Sequence, residues 1–83
     1  MKDKQIACSA IRDNNNRVWI GKRHSDIFFL MNRYGVSPKG CEQGFETTDG
    51  HFVSREVAKI IATESGQVIE DHDLLRLFSE DLY

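Results

Sequence analysis

Asp49-Gly50 lies between two strand-compatible stretches, "EQGFETT" (42–48) and "HFV" (51–53). An Asp-Gly pair in that setting is the strongest short-range signal for a β-hairpin, because glycine takes the left-handed backbone that tight turns need. Ser54 follows at once, and a serine there can accept a hydrogen bond from an otherwise unpaired helical N–H. The chain therefore predicts a hairpin that hands over directly to a helix across 55–65. Val57, Ile60 and Ile61, with Ala58, are its expected inward residues, and Gly66 is its expected C′ terminator.

The first half repeats this layout. "QIACSAIR" (5–12) and "NRVWIGKR" (16–23) read as strands. Asp13 to Asn16 between them is turn chemistry, since Asn and Asp tolerate left-handed conformations. Trp19 reads as a core or interface side chain. A helix is predicted over 24–35, with Ser25 as its N-cap and Asp26 suited to its first turn. Ile27, Leu30, Met31 and Tyr34 follow i, i+3, i+4, i+7 and make one apolar face. Phe28 and Phe29 widen that face, as a broader core or as a subunit contact. Gly35 supplies the stop. Residues 36–40 read as a loop.

After Gly66, Asp71 or Asp73 is a candidate start for a short helix, and the last residues read as a docked tail. The expectation is one α+β domain over 1–83, two β-hairpin–helix units in ββα-ββα order, with 71–83 as a short helix or docked tail. The two units share a layout and no detectable repeat. Eighty-three residues stand near the lower limit for a self-sufficient core. Cys8 and Cys41 make no disulfide framework, so a homo-oligomer is the expected source of further buried area. No apolar run approaches the ~18 residues of a membrane span, and no secretory leader pattern precedes Ser9. A soluble cytoplasmic chain is expected.

Charge is distributed unevenly. Residues 1–39 carry eight Lys/Arg against three Asp/Glu, residues 40–63 two against four, and residues 64–83 one against six. A binder of long nucleic acid is usually basic throughout, and this chain has net charge −2. The asymmetry fits oppositely charged solvated faces, a local basic pocket for a small anion, or head-to-tail pairing between subunits.

Most catalytic constellations fail. Gly40 and Glu46 have the spacing of a pyrophosphohydrolase box, but Arg55 falls one residue too late. Val57, Ala58, Lys59 and Ile60 then stand where carboxylates would gather a divalent metal. His24, His51 and His72 lack metal-ligand spacing. No serine or cysteine sits in a nucleophile elbow, and no glycine-rich phosphate loop is present. No catalytic residue, metal or cofactor is expected.

Both predicted helix starts are cationic: Arg23-His24 precede Ser25, and Arg55 follows Ser54. Helix N-termini offer unpaired N–H groups that suit phosphate, and arginine adds bidentate bonding. Gln43 suits a base or ribose edge. Phe45 and Phe52 are candidates to stack on a base, at ~1–3 kcal/mol each.

"GKRHSD" (21–26), "EQGFETTDGHFVSRE" (42–56), "SGQ" (65–67) and "SEDLY" (79–83) together resemble small phage-borne proteins of the Thoeris anti-defence nucleotide sponge family. This chain reads Arg55-Glu56-Val57-Ala58 where that family tends to Arg-Glu-Glu-Ala. The resemblance implies an α+β homo-oligomer in the host cytoplasm that sequesters cyclic ADP-ribose-type signals or cyclic oligonucleotides without cleaving them. It implies ligand roles for Arg23, His24, Gln43, Phe45 and Arg55, and a pocket or subunit role for the tail. Two rival expectations stand beside it. One is a protein–protein inhibitor acting through the acidic C-terminal half, since acidic surfaces can mimic nucleic acid. The other is a small nucleotide-acting enzyme.

Overall fold

A computed structural model describes residues 4–82. The chain forms β1 (Ile6–Arg12), β2 (Val18–Gly21), α1 (His24–Arg33), β3 (Glu42–Thr47), β4 (Phe52–Ser54), α2 (Arg55–Ser65) and a 3-10 turn at Ser79–Asp81. The strands make one antiparallel sheet in the order β2-β1-β3-β4. This is the expected α+β arrangement of two hairpin–helix units, with β1 and β3 side by side at the centre.

Local chemistry sets both hairpins. Asp13 Oδ1 accepts from the Asn15 and Arg17 amides at 2.8 and 2.9 Å, and its Oδ2 accepts from Trp19 Nε1 at 2.9 Å. Asn16 closes that turn with φ 62. In the second hairpin the Gly50 amide donates to the Thr47 carbonyl at 2.9 Å. Gly50 alone in this turn has positive φ, at 86°. Thr48 and Asp49 therefore take the central turn positions, and Gly50 takes the left-handed position after them.

The strand register places Ile11, Trp19, Ser9, Phe45 and Val53 on one sheet face. The helices bury that face in two clusters. Ile11, Ile27 and Met31 form the core under α1, with Trp19 and Phe28 against it. Ile6, Phe45, Ala58, Ala62 and Leu77 form the core under α2, with Val53 and Ile61 against it.

Three expectations about the two helices need correction. Ser25 does not cap α1: the helix begins at His24, with extended Arg23 at the N-cap and no side-chain cap bond. His24 is itself buried, and anchoring its ring draws the helix start upstream. The inward stripe of α1 is accordingly His24, Ile27, Phe28 and Met31, while Leu30 and Tyr34 are exposed. On α2 the small residues Ala58 and Ala62 face inward and Val57 and Ile60 face out. Alanines let the helix approach closely around Leu77, a side chain from the tail. Ser54 caps α2 as expected, accepting from the Val57 amide at 3.2 Å. Gly35 and Gly66 end the two helices in the left-handed region, at φ 74 and 76. In each case the glycine amide and the amide of the next residue donate back into the last turn.

The tail is docked, and no helix starts at Asp71 or Asp73. Asp73 instead accepts from the Leu75 and Arg76 amides at 2.8 and 3.1 Å, which closes a turn. The Gln67 side-chain amide accepts from Ile6 N and donates to Ile6 O, both at 2.9 Å. The Leu77 amide donates to the Arg55 carbonyl at 3.1 Å. Asp81, fully buried, accepts from the Phe78 amide at 2.9 Å and pairs with the His72 ring. Tyr83 of the "SEDLY" stretch lies outside the described residues.

Candidate functional site

The β3–β4 hairpin sets Gln43 close to the start of α2, because β4 runs straight into that helix. Arg55 there donates to Gln43 Oε1. The returning tail adds Phe78, whose ring lies under the Arg55 guanidinium at 5.1 Å. It also adds Arg76, held by Asp73 at 3.4 Å. These segments border an open cleft of about 240 Å³, lined by Cys41, Glu42, Gln43, Ser54, Arg55, Glu56 and, from the tail, Arg76.

The cleft is polar and carries two cations side by side. Burial first, and then the neighbouring Arg76 charge, push the Arg55 pKa below its ordinary value. Arg55 Nε is buried and has no hydrogen-bond partner among the described residues. Glu42 is engaged by Arg12 at 2.6 Å, and Ser54 Oγ is engaged by its cap bond. Glu56 is exposed at the rim. Such an arrangement suits an anion at the arginines and a hydrogen-bonding group at Gln43 and Glu56.

The other expected site residues do not join it. His24 is buried: its Nε2 lies 2.8 Å from the Gly44 carbonyl, and its ring packs edge-on to Phe45 with centroids 5.0 Å apart. A carbonyl partner requires Nε2 to carry the proton. Burial lowers the His24 pKa, so the ring is held neutral. Phe45 is fully buried in the α2 core and offers no face to a ligand. Arg23 stands at the α1 N-cap, outside the cleft lining. Phe52 carries the Arg12 guanidinium over its ring at 4.8 Å. Of the five expected ligand residues the cleft brings together Gln43 and Arg55; sequence reading did not single out Arg76 or Phe78. One signal was present: Arg76 is the only Lys or Arg among 64–83.

Comparison with protein families matches residues 5–83 to the phage T4 y16D protein. The chain belongs to that family. The y16D match spans both hairpin–helix units and the docked tail, so every segment that builds the cleft lies inside it. It makes this a small phage protein, and it names no sponge activity. No curated protein and no solved structure matches the chain. Among the described residues no helix is long and apolar enough to cross a membrane, and no three His, Cys, Asp or Glu side chains gather as a metal site.

Proposed function

We propose that this phage protein is a non-catalytic sponge: it binds cyclic nucleotide signals in the host cytoplasm and keeps an immune effector silent. The ligands are of cyclic ADP-ribose type or are cyclic oligonucleotides. The observation that carries the reading is the Arg55–Arg76 pair lining one polar cleft. Two guanidiniums lining one polar cleft can together hold a phosphate through charge-assisted hydrogen bonds. The phage family and the motif resemblance support the same reading.

Calorimetry against cyclic ADP-ribose isomers and cyclic di- and trinucleotides tests it, with tight binding of at least one as the expected outcome. Silence from all of them with folded protein would sink the proposal. Ligand recovered intact from the heated complex separates a sponge from an enzyme. A product whose formation depends on Arg55 or His24 would favour the nucleotide-acting enzyme instead.

A second reading has its own observation. Leu74 and Leu75 are 84% and 73% exposed on the acidic tail, directly after Glu70, Asp71 and Asp73. Exposed leucines among carboxylates suit a basic protein partner, as an inhibitor of a defence effector requires. A one-to-one complex with a defence nuclease, abolished by Leu74→Ser with Leu75→Ser, would establish it.

A further inference from the structure

Resting on that reading, we infer that the Arg55–Arg76 cleft recognises the ribose-phosphate part of its ligand and leaves the base unread. Size gives the first argument. The cleft of about 240 Å³ is smaller than the ~300–1,000 Å³ of pockets that enclose a whole drug-sized ligand. One chain therefore grips a fragment.

The lining says which fragment. Arg55 and Arg76 come from different segments and converge on one space, which suits a phosphate. Gln43 uses Oε1 to hold Arg55, which leaves its Nε2 amide to donate to the ligand. The exposed Glu56 carboxylate is able to accept from hydroxyl groups. An anion beside hydroxyls is the chemistry of a ribose phosphate.

A base has no platform here. Phe45 is buried in the core. The Phe78 ring carries Arg55, and the Phe52 ring carries Arg12. Trp19 and Tyr34 lie against each other with centroids 5.9 Å apart on the first hairpin–helix unit. None of these rings lines the cleft, so the usual stacking contribution of ~1–3 kcal/mol per base is absent from it.

The experiment is competition calorimetry with the full chain, using adenosine, guanosine and uridine 5′-monophosphates, ribose 5-phosphate and unphosphorylated adenosine as probes. The three monophosphates are expected to agree within about threefold, a difference below ~1 kcal/mol. Ribose 5-phosphate should displace them, and adenosine should not. Arg76→Gln, at an exposed position that leaves the core intact, should weaken all four phosphates by about tenfold alike, the scale of one charged hydrogen bond. A base-dependent difference beyond about tenfold, or adenosine binding as well as its monophosphate, overturns the inference. Cyclic nucleotides that bind but resist displacement by ribose 5-phosphate overturn it too, while leaving the sponge reading standing. Binding of no nucleotide at all removes both.

Discussion

A methyl group added at Gly44 would lie 2.2 Å from the Val53 carbonyl oxygen and 2.6 Å from Phe52 Cζ. The oxygen belongs to the paired strand and cannot swing aside, so Gly44→Ala forces β3 and β4 apart. The expected cost is about 1–3 kcal/mol, as for other overpacked sites, measured by urea denaturation; a loss below ~0.5 kcal/mol would contradict the packing described. Gly44 also supplies the acceptor for His24, one of two histidines that respond to acid with opposite sign. Burial lowers the His24 pKa. Its contribution is complete above the unfolded value of ~6.5 and is lost as pH falls towards the folded value, because only the unfolded ring takes the proton. The bond to Asp81 raises the His72 pKa. That contribution is complete below ~6.5 and is lost as pH rises through the raised folded value. Ring titrations by NMR should place His24 below and His72 above the free value. In His72→Gln the compensating gain is gone, so stability should fall more steeply between pH 7.5 and 5.5 than in the parent chain. An unchanged slope would mean that the Asp81 pairing contributes nothing.

Among the elements, the tail decides most of what local pattern could not. Leu77 is fully buried between Phe45, Ala58 and Ala62. Leu77→Ala should cost about 2–5 kcal/mol, the range for a buried leucine that leaves a cavity. Because Arg76 and Phe78 flank it, nucleotide binding should weaken in the same variant. Chemical denaturation and calorimetry check the two effects, and a loss under ~1 kcal/mol would mean that the tail is not part of the core. The hairpins and the 55–65 helix were legible because their determinants are local. Asp13, Asn16 and Gly50 shape turns within a few residues, and Ser54 caps the helix that it precedes. Gln43 and Arg55 were each named from sequence, and the one hairpin between them brings them together. The inward faces of the helices were not legible, because they depend on distant partners. Ala58 and Ala62 are chosen over Val57 and Ile60 by a leucine arriving from the tail. His24 faces inward because Gly44 and Phe45 receive it. Gln67 reaches Ile6 across 61 positions of sequence, and Arg76 enters the cleft by the same return of the chain. Periodicity within a helix carries no record of such contacts. Parts of the "SGQ" and "SEDLY" stretches that resembled a ligand-handling family serve the fold here, through Gly66, Gln67 and Asp81.

Across the whole molecule, sequence order becomes a separation of charge. The sheet order β2-β1-β3-β4 keeps the first hairpin–helix unit on one side and the second on the other. Residues 1–39, with eight Lys/Arg against three Asp/Glu, include β1, β2 and α1, while 64–83, with one against six, form the tail packed beside α2. Large apolar side chains stand exposed on both sides: Phe29 on α1 at 65%, Tyr34 just after its end at 72%, and Ile60 on α2 at 60%. Opposite charge beside apolar surface favours association of the basic side of one copy with the acidic side of the next. Charge then supplies rate and orientation, and apolar area supplies affinity. The expected species at micromolar concentration is a dimer or larger. Sedimentation should show that species shifting towards single chains between 0.1 and 1 M salt, where the screening length falls from ~10 to ~3 Å. Phe29→Ser with Tyr34→Ser should produce the same shift at low salt. Phe29 lies outside the buried core, so Phe29→Ser alone should leave the thermal midpoint of the isolated chain unchanged, while Tyr34→Ser also removes the ring contact to Trp19. A mass of one chain at every salt concentration contradicts association. A mass that grows with salt assigns it to apolar contact alone and removes the electrostatic pairing.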